Sequence, residues 1–391
     1  MSQYTTSKYL YIKTSLLGEL TIVDFVKYSK RCQTSGYIFI KYQGLNMTLI
    51  KSLRLSLFII TTLLVTTACS SKELKKDESV VLFPISANKT EAGWEFTIHS
   101  WVFEKEEKSL SRIVAQKSLK EVFESIGEVT DNSDNAATLQ RRFMWFLVDN
   151  KQKKEIQTLL NGQLITLAKT AANGHAKTLL SVNKEVPNGE WQSFKVKDNY
   201  QRNFQGEIQF IPQQGLSVIS DIDDTIKVSQ VLDKKELLIN TFVKPYRVTK
   251  GFPEYYKELA AQGAYFHYIS ASPWQLYPSL KPFLEKYYPK GTITLRNFRI
   301  KDSSLLAFFK PSTGYKIKQI QNLIRRYPKH QFILIGDSGE HDPEVYATIY
   351  QQFPDNIQSI QIRAVEGSNL TDKRFKEIFK HIPKNSWRLL P

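Results

Sequence analysis

The sequence predicts an α/β fold in which a doubly wound, parallel, five-stranded sheet follows a β-rich, sandwich-like region. Three observations predict it. From Gly215 onward, short apolar runs alternate with amphipathic stretches of helical period. Between Val80 and Pro212, runs rich in β-branched and aromatic residues are separated by polar or glycine-bearing turns. Acidic side chains directly follow two of the apolar runs, where a parallel sheet places its ligands.

The α/β region is expected to span residues 214–391. Its predicted strands are the apolar runs 216–220, 264–270, 292–295, 332–336 and 359–365. Amphipathic helices are predicted between them over 253–262, 276–288, 315–327 and 342–353. Strands that alternate with helices predict a parallel sheet with crossover connections.

The β-rich region is expected to span residues 80–213 and to form an accessory domain. Its predicted strands are the runs 80–86, 94–103, 141–148, 163–170, 177–182, 191–196 and 206–212. One helix is predicted over 109–128. Regular short strands with one helical insertion favour a sandwich, and the region shows no catalytic constellation.

Composition restricts the class of protein. Hydrophobic residues make up 41% of the 391 residues, enough for a buried core. The formal net charge of +16 favours an anionic partner or simply a basic surface. We predict no nucleic-acid partner, because zinc-finger spacing, aromatic RNA-binding motifs and long basic runs are missing from the sequence. Two cysteines without a CxxC pair exclude a zinc or redox motif of that kind.

The segment 47–71 resembles a bacterial lipoprotein signal. Lys51 and Arg54 precede an apolar run that ends at Ala68, and Cys69 follows as the expected lipidation site. The run is short for a membrane span, although an N-terminal anchor or a buried helix is an alternative.

This resemblance divides the start of the chain. Residues 1–46 are interpreted as an over-long start, 47–68 as the signal peptide, and 69–79 as a polar tether. The protein would then be lipid-anchored in the bacterial cell envelope and face the periplasm. Ser70 favours the outer membrane if the cell has two membranes.

The end of the first predicted strand carries an acidic motif, Ser220-Asp221-Ile222-Asp223-Asp224-Thr225. Three carboxylates within four residues repel one another unless a cation or hydrogen bonds compensate. A calcium EF-hand is excluded, because Ile226 and Leu232 occupy the positions that need glycine and glutamate. An acidic surface turn is the alternative.

Three later elements bring further polar groups to the same edge. Ser270 ends the second predicted strand, Lys316 opens a helix, and Asp337 and Asp342 follow the fourth strand. Because neighbouring parallel strands end together, the carboxylates are expected to converge near Asp221 and to offer the hard oxygen ligands that suit Mg²⁺.

The ordered set of DxDxT, strand-end serine, lysine and GDxxxxD resembles the haloacid dehalogenase superfamily. More closely, SDIDDTIK, YISASPWQLYP, LRNFRIKDSSL and LIGDSGEHDPEVY resemble the catalytic domain of the actin-patch-associated phosphatidate phosphatase family, over about residues 215–391. The β-rich region is less specifically similar to that family's amino-terminal half.

The resemblance implies a phosphatase mechanism. Asp221 would be the nucleophile that forms an aspartyl phosphate, and Asp223 would be the general acid and then the base. Mg²⁺ would be held by Asp221, the main-chain carbonyl of Asp223 and Asp337.

Four further residues receive supporting roles from the same resemblance. Ser270 and Lys316 would bind phosphate oxygens. Asp342 would act through water or orient Lys316, and Thr225 would hydrogen-bond the loop. Asp224 is left as a residue of local structure.

The spacing also suggests the substrate. Only 49 residues separate Asp221 from Ser270, and 46 separate Ser270 from Lys316. Neither interval accommodates a large cap domain, so the minimal cap predicts an open site for a bulky or membrane-borne phosphomonoester. The family resemblance points to phosphatidate or a similar lipid phosphate.

Two other functions are consistent with the same sequence features. The enzyme would otherwise be an envelope phosphatase for other phosphomonoesters, or the protein a non-catalytic, lipid-binding lipoprotein. Apolar residues around the motifs would form a lipid-contacting rim, or else ordinary core: Trp274, Leu276, Tyr277, Leu305, Leu306, Phe308 and Phe309.

Overall fold

The computed structural model describes residues 73–105, 134–297, 313–368 and 372–391, and the single positions 117, 124 and 127. Residues Ser71–Pro391 form one compact unit. The predicted signal peptide, Cys69 and the residues 305–309 lie outside the described residues, as does the predicted helix 109–128 apart from the three single positions.

The β-rich region folds into one nine-stranded sheet. Its strands are β1 (Glu78–Leu82), β2 (Ile85–Thr90), β3 (Gly93–Glu104), β4 (Asp149–Asn150), β5 (Gln157–Leu160), β6 (Gln163–Thr166), β7 (His175–Val182), β8 (Trp191–Val196) and β9 (Gln205–Ile211). The path runs β1-β3-β2-β9-β8-β5-β6, and β4 and β7 also pair with β3. The pairs are antiparallel except β2 with β9. Hydrogen bonds join all nine strands, and the 12-residue β3 pairs along both of its edges.

The predicted strand 141–148 is wrong. Helix α1 (Asp134–Phe143) and a 3₁₀ turn (Met144–Phe146) cover most of it. Leu139, Arg142 and Phe143 are the buried residues of α1, a spacing of three and four that suits a helix. The aromatic residues that suggested a strand instead pack this helix against the α/β region, where Phe143 contacts Phe242 edge-on.

The α/β region contains a six-stranded sheet in which every pair is parallel. Its strands are β10 (Gln214–Ser220), β11 (Tyr265–Pro273), β12 (Gly291–Arg296), β13 (Lys329–Asp337), β14 (Ile357–Arg363) and β15 (Trp387–Leu390). The order is β12-β11-β10-β13-β14-β15. The prediction of five strands missed β15, because this four-residue edge strand is only half-buried and lacks a long apolar run.

Helices connect these strands. They are α2 (Lys234–Leu238), a π-helical turn (Ile239–Val243), α3 (Phe252–Ala261), α4 (Tyr277–Tyr287), α5 (Thr313–Arg326), α6 (Asp342–Gln352) and α7 (Asp372–Ile378). Short 3₁₀ turns cover Trp274–Leu276, Pro354–Asn356 and Lys384–Ser386. In the part of the chain that the structure describes, we find no helix with the length and apolarity needed to cross a bilayer.

Two cores cover the two faces of the parallel sheet. Val218 packs with Tyr256 of α3 on one face, while its neighbour Ile219 packs with Ile320 of α5 on the other. This alternation follows from the period of two along a strand. The first core also takes in Trp101 of β3, so the β-rich and α/β regions share buried apolar surface.

Candidate active site

Asp221 and Asp337 lie at the carboxyl ends of adjacent strands. Strand β10 pairs with β13 in a register that places Ser220 opposite Ile335, and the Asp221 N–H donates to the Ile335 carbonyl at 2.9 Å. Both carboxylates are almost fully buried. The sheet topology therefore brings together two acidic groups that are 116 positions apart in the sequence.

Lys316 lies at the centre of three carboxylates. Its Nζ is 2.8 Å from Asp221 Oδ1, 2.9 Å from Glu340 Oε2 and 2.7 Å from Asp342 Oδ1. Although burial lowers the pKa of Lys316, the three negative charges raise it well above its ordinary value. The lysine is therefore held as a cation beside Asp221.

These three acidic residues also form a candidate metal cluster. Oxygen atoms of Asp221, Glu340 and Asp342 lie within 4.8 Å of one another. Because Lys316 contacts all three, its ammonium already accounts for their convergence. A divalent cation would share this acidic environment with Lys316.

Two buried oxygen atoms test the fit of a metal ion. Asp221 Oδ1 and Asp337 Oδ2 have no hydrogen-bond partner among the described residues. Asp221 Oδ1 has only its ion pair with Lys316, whereas Asp337 Oδ1 accepts hydrogen bonds from the N–H groups of Gly339 and Glu340. An oxygen left without a donor in a buried site is costly unless a cation compensates. These residues therefore fit a hard divalent cation.

Burial raises the pKa of Asp221 and the pKa of Asp337 well above the ordinary value of an aspartate. Nearby acidic side chains add to the effect at Asp221 and Asp337, and the charge of Lys316 opposes it. A bound cation would favour the ionised forms and reverse this shift.

Asp223 is held in a different environment. Its Oδ1 contacts Lys227 Nζ at 2.7 Å and accepts from Ser229 Oγ at 2.8 Å. Its Oδ2 accepts from Ser272 Oγ at 2.7 Å and from Ser270 Oγ at 3.2 Å. Burial opposes ionisation, but the Lys227 charge and these hydrogen bonds lower the pKa of Asp223 to about 2. Two neighbouring carboxyls, Asp221 and Asp223, thus have pKa values shifted in opposite directions.

Asp224 closes the loop that follows the acidic motif. Its carboxylate accepts hydrogen bonds from the N–H groups of Ser229, Gln230 and Val231, at 2.8, 2.9 and 2.6 Å. Its backbone has a φ of 51°, in the left-handed region that aspartate tolerates better than most residues. The geometry agrees with the interpretation of Asp224 as a residue of local structure.

Asp342 lies behind Lys316 and is fully buried. One oxygen contacts Lys316, and the other accepts from the Asp337 N–H at 3.3 Å. A Cβ at position 336 would overlap this second oxygen, so Gly336 permits the close approach. Of the two arrangements predicted for Asp342, the structure has the direct contact with Lys316.

The predicted site residues come together at one edge of the sheet. Thr225 Oγ1 is 3.4 Å from Asp221 Oδ2, at the long end of the hydrogen-bond range. Ser270 donates to Asp223 instead of projecting alone into the site.

The interpretation of Trp274, Leu276 and Tyr277 as a lipid-contacting rim is wrong, because all three are buried. Trp274 packs on the ring of His175 with centroids 3.6 Å apart, and Tyr277 packs on Phe83 at 4.9 Å. These residues pack the edge of the parallel sheet that carries the candidate site against the β-rich region.

The sequence analysis missed four residues that complete the site: Lys227, Ser229, Ser272 and Glu340. Lys227 and Glu340 lie inside the quoted motifs, so a charged residue beside the predicted acids was an available signal. Ser272 also lies inside a quoted motif, but no periodicity distinguishes it or Ser229 from other serines. Their role depends on the meeting of two chain segments at Asp223.

The site lies within a segment that matches a known family. Residues 216–364 match the family model described as "Phosphatidate phosphatase APP1, catalytic domain". This segment is similar to the APP1 catalytic domain, and we call it the APP1-like segment. The APP1-like segment contains the acidic motif, Ser270, Lys316, Asp337 and Asp342.

Two curated relatives match the same part of the chain. "Phosphatidate phosphatase APP1" of Saccharomyces cerevisiae is 37% identical over 163 residues, which are 41% of this chain and 27% of the yeast protein. "Uncharacterized protein C29B5.04c" of Schizosaccharomyces pombe is 30% identical over 174 residues, which are 43% of this chain and 28% of that protein. The chain therefore spans little more than a quarter of the length of either relative.

A solved structure shows only a weak likeness. A Porphyromonas gingivalis W83 protein of unknown function is 8% identical and covers 39% of this chain and 62% of its own, with a TM-score of 0.15. That score carries no argument about fold or function.

Proposed function

We propose that the APP1-like segment is a haloacid dehalogenase-like, Mg²⁺-dependent phosphomonoester hydrolase that works through an aspartyl phosphate on Asp221. The observation that carries this proposal is the buried Asp221 carboxylate, held 2.8 Å from Lys316 and beside Asp337. The arrangement combines a nucleophile, a fixed cation and a candidate metal ligand at the end of a parallel sheet.

The first step would transfer the phosphoryl group to the protein. An Asp221 oxygen attacks phosphorus, a new oxygen–phosphorus bond forms, and the bond to the leaving alcohol breaks. Lys316 stabilises charge on the phosphoryl oxygens. Asp221, the Asp223 carbonyl and Asp337 would hold Mg²⁺, which supplies further neutralisation of charge.

Asp223 would donate a proton in the first step and accept a proton in the second. Its low pKa means that the carboxyl is ionised before substrate binds. The negative phosphate raises the affinity of Asp223 for a proton, so that the carboxylate takes one from solvent water and passes it to the leaving alkoxide. The resulting carboxylate then accepts a proton from the water that hydrolyses the aspartyl phosphate.

We infer that the substrate is phosphatidate or a similar lipid phosphate. The name of the yeast relative supports this substrate class. Between β10 and β11 the chain forms only short helical elements, α2, the π-helical turn and α3, which leave no separate cap domain. An uncapped site admits a phosphate group that projects from a membrane.

We also propose that Cys69 carries a lipid that anchors the protein in the bacterial cell envelope. The support is the signal-like segment 47–69. Mass spectrometry of the membrane fraction should find acyl groups on Cys69, and Cys69→Ala should lack them. Normal membrane fractionation with no acyl mass on the wild type would reject the anchor.

Phosphate release tests the enzyme proposal. With Mg²⁺ present, we expect faster release from phosphatidate vesicles than from a soluble aryl phosphate. Activity on the soluble ester alone would favour a phosphatase for other phosphomonoesters. Activity on neither would favour a non-catalytic, lipid-binding protein.

The variant Asp221→Asn identifies the nucleophile. It should lose turnover by a factor of at least about 10³, because an amide cannot form the aspartyl phosphate. Circular dichroism should show an unchanged fold. Asp355→Asn, an exposed aspartate on a 3₁₀ turn, is the matched control and should retain full activity. Unchanged turnover in Asp221→Asn would remove Asp221 from the mechanism.

A further inference from the structure

Leu232 is an exposed apolar side chain in a loop that adjoins the acidic motif. It is 49% exposed, although most large apolar side chains of the APP1-like segment are buried. Single exposed leucines are common on protein surfaces. Leu232 differs from such leucines because it lies close to the candidate catalytic groups.

Leu232 lies beside the loop that carries Asp337. A Cβ built at Gly339 would be 3.6 Å from Leu232 Cγ and 3.1 Å from Asp337 Oδ1. A Cβ built at Gly367 would be 3.9 Å from Leu232 Cδ1. One glycine thus separates the exposed leucine from a candidate metal ligand, and Leu232 lies close to the candidate site.

The backbone around Leu232 is firmly held. The three hydrogen bonds to the Asp224 carboxylate fix residues 229–231 immediately before it. Asp233 follows it and caps α2 by accepting from the N–H groups of Lys235 and Glu236. The loop therefore presents Leu232 to solvent in a defined position.

Two exposed lysines accompany the leucine. Lys234 and Lys235 are the first two residues of the five-residue helix α2, and both are exposed. Asp233 and Glu236 partly balance them, but the Asp233 carboxylate is engaged as the helix cap and Glu236 pairs with Lys244 at 3.7 Å. The two lysines therefore offer exposed positive charge near Leu232 to an anionic surface.

We propose that the segment Val231–Lys235 is a membrane-contact element that inserts Leu232 into an anionic lipid surface close to the candidate site. An exposed leucine with two lysines two and three residues after it is complementary to lipid chains below anionic headgroups. The contact would bring a lipid phosphate to Asp221. This inference rests on the proposed function, because it assigns the residues through which that site meets its lipid substrate.

Leu159 provides a matched control. It is 48% exposed, almost equal to Leu232, but it belongs to strand β5 of the β-rich region. Leu159→Asp therefore introduces the same change at an equally exposed leucine outside the candidate site. We compare both variants by the ratio of phosphate release from phosphatidate vesicles to release from a soluble aryl phosphate.

Leu232→Asp should lower this ratio about fivefold to tenfold, as expected for losing the burial of one leucine side chain. Leu159→Asp should leave the ratio unchanged. An unchanged ratio in Leu232→Asp, or an equal fall in both variants, would overturn the membrane contact.

A second measurement does not depend on turnover. Leu232→Cys and Leu159→Cys are labelled with an environment-sensitive fluorophore in the full chain, with Cys32 and Cys69 replaced by serine. Vesicles that contain anionic phospholipid should shift the emission to shorter wavelength at position 232 only. No shift at 232, or the same shift at both positions, would contradict the proposal.

The two measurements separate the inference from the proposed function. If the wild type releases no phosphate from any lipid but the label at 232 still reports insertion, the proposed substrate fails and the contact remains. If lipid phosphate is hydrolysed and the label reports no insertion, the contact fails and the enzyme proposal remains.

The lysines have their own test. The double variant Lys234→Gln/Lys235→Gln should reduce the emission shift of the label at 232 on anionic vesicles. Lys195→Gln/Lys197→Gln, two exposed lysines of the β-rich region, should leave it unchanged. Equal behaviour of the two double variants would remove the lysines from the proposal.

Discussion

At the scale of single residues, the site is defined by carboxyls that have the same chemistry and different surroundings. Asp223 has a cation and three hydroxyl donors, whereas Asp337 Oδ2 has no donor. A buried carboxylate is stable only with compensating partners. Replacing Asp223 should therefore lower the free energy of unfolding, and replacing Asp337 should raise that of the metal-free protein.

Asp337→Asn should stabilise the metal-free protein at pH 7 by about 1–2 kcal/mol, because it removes an uncompensated buried charge. The same change should abolish the rise in melting temperature that Mg²⁺ gives the wild type. Thermal unfolding with Mg²⁺ or with a chelator measures both effects. An equal Mg²⁺ response in wild type and variant would exclude Asp337 as a ligand.

Asp223 should make stability depend on pH in the acid range. Its pKa is lowered from 3.8 to about 2 in the folded protein, so its contribution is complete above about pH 4 and is lost as the pH falls towards 2. Over that range the wild type should lose about 2 kcal/mol more than Asp223→Asn. Denaturant unfolding at pH 4 and pH 2 measures the difference, and parallel losses in both proteins would contradict the assignment.

At the scale of secondary-structure elements, the loops after β10 and β13 determine the geometry of the site. Asp224 holds residues 229–231, and Gly336 lets Asp342 approach the β13 strand end. Neither residue needs to touch a substrate. Both set the positions of groups that would.

Asp224→Ala should lower the free energy of unfolding by about 3 kcal/mol, because three backbone N–H groups lose a buried, charged acceptor. The comparison is Asp233→Ala, which removes an exposed helix cap and should cost about 1 kcal/mol. Denaturant unfolding of both variants measures the two losses. Equal losses would show that Asp224 stabilises the protein no more than an ordinary helix cap does.

At the scale of the whole molecule, the β-rich region packs against the edge of the parallel sheet that carries the candidate site. Trp101 of β3 stacks on His175 with ring planes 8° apart, and His175 packs on Trp274 just after Ser272. Trp101, Trp274 and Val218 belong to the same core. The two regions should therefore depend on each other for stability.

Residues 73–391 should consequently unfold in one cooperative transition. Trp101→Ala should cost about 3–5 kcal/mol, as expected for a large-to-small change in a core, and should shift the whole transition. Hydrogen exchange of β3 and of β13 amides measures the two regions separately. Loss of protection in β3 alone would show that the regions unfold independently.

Much of the architecture could be predicted from local patterns. The alternation of apolar runs and helical periods indicated the parallel strands through β14, and polar residues at the ends of those runs indicated the catalytic edge. The errors arose where a pattern was short or ambiguous. Strand β15 has only four residues, two half-buried and two exposed. The aromatic run 141–148 is largely helical because its side chains pack against another part of the chain.

The sequence by itself determined which groups could do chemistry, because the residue types and their places after apolar strands are properties of the chain. Tertiary structure decided which of those groups meet. Ser272 reaches Asp223 from a separate strand, Glu340 joins Lys316, and Leu232 remains exposed while Trp274 is buried. Such contacts depend on the register of distant strands and on packing between regions, and neither follows from the neighbours of a residue in the sequence.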